Sequence, residues 1–129
     1  MEGTRFKACG KTLEELFENA ARLLTACLVE TAGASATQTV FVQLAAETRE
    51  ELLAKWLEEI LYHFQTEKLL GVDFNVTRCT PEDFRATLHA IKWNPARQLL
   101  KTEIKTTTFR EMKIVKNKDQ YEVEVILGL

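Results

Sequence analysis

The stretch "ETREELLAKWLEEILYHFQTEKLLGVDFNV", residues 47–76, changes its period near its middle. Thr48 and Glu51 stand at capping-box spacing: the threonine hydroxyl can accept from the amide of Glu51, and the glutamate can reach back. Leu52, Leu53, Trp56, Leu57, Ile60, Leu61 and Phe64 then recur every three or four residues, a stripe of several helical turns. From residue 69 the spacing becomes two. Val72, Phe74 and Val76 alternate with Asp73, Asn75 and Thr77, as in a strand with one buried face. No helical pattern follows, so the strands beyond this point lack crossover helices and should pair antiparallel.

Upstream, the same grammar occurs once more. "TRFKAC", residues 4–9, reads as a strand, and Gly10 and Lys11 turn the chain into a helix capped by Thr12 and Glu15. Leu13, Leu16, Phe17, Ala20, Leu23, Leu24, Cys27 and Leu28 follow at helical spacing, with an end near Glu30. "TAGASAT", residues 31–37, is a loop, and "QTVFVQLAA", residues 38–46, is a strand with Val40, Val42 and Leu44 on one face. Downstream, "TPED" (80–83) is a turn, and Phe84, Ala86, Leu88 and Ala90 mark the next strand. "WNPARQLLKT" (93–102) is a long connection. A strand over "KTEIKTTTFREMKIV" (101–115), a turn at "KNKD" (116–119) and a last strand with Tyr121, Val123, Val125 and Leu127 complete the chain. The order predicts one α+β domain over residues 1–129, with two helices on one side of a mainly antiparallel sheet. Leu16, Phe17, Leu24, Trp56, Leu57 and Ile60 should pack on a sheet containing Val42, Phe74, Leu88 and Val123.

Composition agrees with a globular domain: 46% of the residues are apolar and 28% charged, and no apolar run approaches the roughly 18 residues of a membrane span. The N-terminal residues lack the apolar centre of a secretory signal. Cys9, Cys27 and Cys79 have no metal-ligand spacing and read as buried thiols of a cytosolic protein. The net charge of −2 hides an asymmetry: residues 1–84 hold 8 Lys/Arg and 14 Asp/Glu, residues 85–118 hold 9 Lys/Arg and only Glu103 and Glu111. Solvated lysines on sheet edges account for this, as would contact with phosphates or an acidic protein.

Catalytic constellations are missing. There is no phosphate loop and no nucleophile elbow. His63, beside the apolar stripe, reads as a packing residue, and His89 lies on the polar face of its strand. Cys79 and His89 would make a nucleophile pair only with a third, orienting group that the sequence does not supply. An autonomous enzyme is not indicated. The residues 101–115 are the unusual part, because neither strand face is apolar. Glu103 and Lys105 leave the same face. They make either a surface ion pair or a working pair: a carboxylate for a hard cation and a lysine for a phosphate or acidic partner.

"GKTLEELFENAARLL" (10–24) resembles the opening helix of the archease family, and "REELLAKWLEEILYHFQTEKLL" (49–70) its second helix. "KTEIKTTTFREMKI" (101–114) resembles the family's best-marked strand, of the form K-x-E-V-K-A-V-T-Y-H, and "YEVEVILGL" its closing strand. Glu103, Lys105 and Thr108 match that pattern, while Phe109 and Arg110 stand where Tyr and His are usual. The resemblance implies a cytoplasmic accessory protein of an RtcB-type RNA ligase, which promotes guanylylation and turnover of the ligase in tRNA splicing or RNA repair. RNA would be reached only through the ligase. It also implies a divalent cation, Ca²⁺ or Mg²⁺, with Glu103 and Glu67 as ligands. Gly3 and Gly128 occupy positions where the family has Asp, and Gln65 replaces a further Asp. Glycine has no side-chain oxygen, so metal binding should be weak. The second reading is therefore an archease-fold binding or structural module, degenerate or engineered, without activating function or metal site.

Overall fold

The structure, a computed structural model, describes residues 4–29, 35–94 and 112–127. Its elements follow in the order β1 (Thr4–Gly10), α1 (Leu13–Leu28), β2 (Gln38–Leu44), α2 (Arg49–Glu67), β3 (Leu69–Cys79), β4 (Phe84–Lys92), β5 (Val115–Asn117) and β6 (Gln120–Leu127). The threonine half of each capping box forms. The hydroxyls of Thr12 and Thr48 accept from the amides of Glu15 and Glu51, each at 3.1 Å. Acidic residues Glu14, Glu15, Glu50 and Glu51 occupy the first turns, where the helix dipole favours them.

The strands pair antiparallel throughout, as the absence of crossover helices requires. Among the described residues they form two three-stranded sheets, β1-β6-β5 and β2-β4-β3, where one sheet was expected. The short hairpin turn at Lys118 and Asp119 folds β6 back on β5, and β6 then pairs with β1 instead of joining β4. Val123 is accordingly buried in the common core but belongs to the other sheet from Val42, Phe74 and Leu88. Of the strand expected at residues 101–115, residues 101–111 lie outside the described residues and 112–114 are not in a strand; Val115 opens β5, which takes in Lys116 and Asn117 of the expected turn, so that the turn itself is confined to Lys118 and Asp119.

α1 contacts both sheets, through β1 and β3, while α2 packs on β3 and more lightly on β2. Trp56 is the centre of the core. It is fully buried, meets Phe74 edge-on with centroids 6.0 Å apart and Phe84 at 5.2 Å, and its Nε1–H donates to the carbonyl of Phe17 in α1 at 3.1 Å. Burying an indole without a partner for its N–H would be costly, and this bond removes that penalty.

Candidate functional site

Of the residues expected to work, Glu67 is described. Glu103 and Lys105, together with Gly3 and Gly128, lie outside the described residues. Glu67 is the last residue of α2. The chain leaves the helix through Lys68, whose left-handed φ of 59° turns it directly into β3. The Lys92 ammonium donates to the Glu67 carbonyl at 2.9 Å and the Trp93 amide to the Lys68 carbonyl at 2.7 Å, so the end of β4 holds the end of the helix. Phe64 packs on Trp93 with centroids 5.1 Å apart.

One turn back, His63 is mostly buried and sits between two carboxylates. Its Nε2 is 3.4 Å from Glu59, and its Nδ1 pairs closely with Glu67. The three residues are four apart on one helix face, a spacing that the sequence carries and that the apolar stripe beside His63 does not reveal. An imidazolium donates to both carboxylates; a neutral ring donates to one and turns a lone pair on the other. The Glu67 carboxylate is therefore already engaged, and a cation there would compete with His63. Among the described residues no group of three or more His, Cys, Asp and Glu could hold a metal ion. The described part of the expected metal set thus does not fit a cation by itself.

The nucleophile pair is excluded by register. Cys79 stands opposite Phe84, whereas His89 stands opposite Asp73, at the other end of the β3-β4 ladder. The Cys79 thiol is pushed up to about 12, chiefly by burial and further by Glu14, against a smaller opposing effect of Arg49. A thiol held protonated is a poor nucleophile. Cys27 is half-buried, but Cys9 is exposed on the outer face of β1, contrary to the expectation of three buried thiols. Its parity on the strand explains this: Ala8 faces the core and Cys9 the solvent.

The two chain ends run side by side. β1 pairs with β6 from Gly10↔Tyr121 to Thr4↔Leu127. Tyr121 lies under two cations, with Arg49 at 6.0 Å and Lys116 at 5.5 Å from the ring centroid. That grouping joins α2, β5 and β6 and was not visible from sequence spacing.

The described residues form a small α+β domain with two capped helices, two antiparallel sheets and paired terminal strands. The model of the Archease protein family matches residues 4–128, and the chain belongs to this family. Protein archease of Methanosarcina barkeri is 30% identical over 97% of this chain and 88% of its own length. That of Methanothermobacter thermautotrophicus is 33% identical over 96% of this chain and 90% of its own. The solution structure of Methanobacterium thermoautotrophicum protein 1598 superposes with a TM-score of 0.81 at 30% identity, covering 100% of this chain and 94% of that one. The crystal structure of an archease from Thermotoga maritima, described as a possible chaperone, has a TM-score of 0.62 at 13% identity over 100% of this chain and 94% of that one, a likeness of fold.

Proposed function

We propose that this protein is a cytoplasmic accessory factor of an RtcB-type RNA ligase, promoting guanylylation and turnover of the ligase in tRNA splicing or RNA repair. The observation that carries this reading is the family match over residues 4–128. Action on another protein also agrees with the description of the Thermotoga relative as a possible chaperone. The factor does not ligate RNA itself and meets RNA only through the ligase. Glu103 and Lys105 are the proposed contact pair. A bound Ca²⁺ or Mg²⁺ is held weakly, because Gly3 and Gly128 supply no side-chain oxygen and Glu67 is engaged by His63.

The test is a guanylylation assay on a purified RtcB-type ligase with and without this protein. Stimulation is expected, and Lys105→Glu should reduce it while leaving the melting temperature unchanged. Absence of stimulation at every ratio would favour the second reading, a module that kept the scaffold and lost activation, for which the glycines at positions 3 and 128 speak. Calorimetry with each ion separates the metal question from the ligase question: a micromolar or tighter site would overturn weak binding.

A further inference from the structure

Among the described residues, the basic side chains find partners everywhere except at one end of the molecule. Arg5, Lys7, Arg22, Lys55, Arg78 and Arg85 each pair with a carboxylate. Lys68 and Lys92 donate to backbone carbonyls. No carboxylate or carbonyl of the described residues pairs with the side chains of Lys11, Arg49, Lys113, Lys116 and Lys118.

These residues are far apart in the chain and meet in space. Lys11 precedes the cap of α1, Arg49 follows the cap of α2, and the others lie in or beside β5. Gly10 pairs with Tyr121, at the opposite end of the β1-β6 ladder from Thr4 and Leu127. The Ile114 amide donates to Glu50 at 3.0 Å, which sets Lys113 near the start of α2. Lys11 and Lys118 line one hollow of about 290 Å³ with Asn117, Asp119 and Gln120. Arg49 and Lys116 share the ring of Tyr121. Most carboxylates at this end are already engaged. Glu15 accepts from the Lys11 amide at 3.4 Å, Glu50 from that of Ile114, and Glu51 pairs with Lys55. Glu14 acts on the Cys79 thiol. Glu47 and Asp119 stay exposed among the cations.

Like charges gathered without counter-ions repel one another, and an opposite surface relieves that repulsion. We propose that this end of the molecule docks an acidic segment of a partner protein, with Arg49, Tyr121 and Lys116 at the centre of the contact. Tyrosine and arginine are among the residue types that most often anchor protein interfaces. The shared ring holds both cations in place before binding, so less side-chain freedom is lost when carboxylates arrive. A nucleic acid fits less well. Its unbroken line of phosphates would run against Glu47 and Asp119 and against a chain of net charge −2, whereas a protein can place single carboxylates between those acids. The surface is additional to the pair Glu103 and Lys105, and its chemistry is the same whether or not the partner is the ligase.

Amide NMR of the full chain tests this with three probes: a short polyglutamate peptide, an oligouridylate of the same charge, and inorganic phosphate. None of them involves the ligase, so the result is independent of the guanylylation assay. The peptide should bind saturably and more tightly than either other probe, with shifts gathered at Lys11, Arg49, Lys116, Lys118 and Tyr121. Arg49→Gln combined with Lys116→Gln should weaken peptide binding by about tenfold or more. The same variant should change the melting temperature little, because both side chains are exposed. Arg5→Gln combined with Lys7→Gln removes equal charge from paired positions of β1 and should weaken binding by less than about twofold. Tighter binding of the oligouridylate would make the patch a nucleic-acid site, and tighter binding of phosphate a small-anion site; either result overturns the inference. So does an absence of peptide binding, or peptide binding that the Arg49 and Lys116 substitutions leave intact.

Discussion

Thr12 and Thr48 cap their helices with the same 3.1 Å bond, and both helices carry paired glutamates in the first turn, yet α1 and α2 end in different surroundings. α1 is wedged between the two sheets and presents small Ala20 and Ala21 beside Leu16, Phe17 and Leu24, all fully buried. α2 leans mainly on one sheet and fills the space with Trp56, leaving Tyr62, Glu58 and Lys55 outside. Identical starting signals thus serve a helix that joins two layers and a helix that covers one. Local grammar decides where a helix begins; what it touches is decided by the strands on either side.

The largest way to break this comparison is Trp56→Ala. Removing the indole empties the contact with Phe74 and Phe84 and the bond to the Phe17 carbonyl, a direct tie between the helices. The expected cost is about 3–5 kcal/mol in denaturant unfolding. A cost below about 1 kcal/mol would mean that Trp56 does not set the position of α2.

Two residues before each cap the helices differ, Gly10 in one and Ala46 in the other. A Cβ on Gly10 would come within 2.8 Å of the Glu15 carbonyl carbon and 2.9 Å of the Leu16 Cα, which are backbone atoms with little room to yield. α1 is pressed that closely on its own strand; α2, entered through an alanine, is not. Gly10→Ala should cost about 1–3 kcal/mol, whereas Ala46→Gly should cost less than about 1 kcal/mol, measured in the same unfolding assay. Equal effects would erase the distinction.

Both helices, their threonine caps and the β3-β4 hairpin were legible in the sequence, because each rests on periodicity and turn chemistry within a few residues, while the closing hairpin was legible only in outline, with Lys116 and Asn117 in β5 rather than in the turn. The division into two sheets was not. Val123 looks the same to a pattern search whether β6 joins β4 or β1, since partner choice depends on where the hairpin swings in space. Residue type alone favours a buried Cys9, but strand parity with buried Ala8 turns it to solvent. In the candidate site, the Glu59-His63-Glu67 spacing was readable, but the Arg49-Tyr121-Lys116 grouping joins residues too far apart in the chain for any spacing rule.

Cys79 feels the starts of both helices, through Glu14 of α1 and Arg49 of α2, and offers a pH test of how they close over β3. Its folded pKa, about 12, lies above the ordinary 9.0. The stabilising contribution is therefore complete below pH 9 and is lost as pH rises toward 12, because the unfolded thiol ionises first. By pH 10 the loss is about 1.4 kcal/mol from this group. Unfolding free energies at pH 8 and pH 10 should differ by that much more in the parent than in Cys79→Ala. An unchanged slope would show that water reaches the thiol between the helix starts.

The smallest effect lies at the helix ends, where the comparison predicts opposite signs. α1 ends on Val29 in an extended conformation (φ −147°), with its side chain 1% exposed. α2 ends on Lys68 at φ 59°, a backbone region that glycine enters without strain. The Lys68 side chain contributes only an exposed bond to the Gln65 carbonyl at 3.3 Å. Its amide, which meets the carbonyls of His63 and Phe64, and its own carbonyl, which accepts from Trp93, are backbone groups that glycine retains. Lys68→Gly should therefore stabilise the protein by a few tenths to about 1 kcal/mol, visible as a small rise in melting temperature. Val29→Gly should lower it, because the lost valine was buried and the backbone there asks nothing of glycine. If Lys68→Gly also lowers it, the ammonium–carbonyl bond outweighs the strain, and the end of α2 is held by its side chain rather than by its backbone.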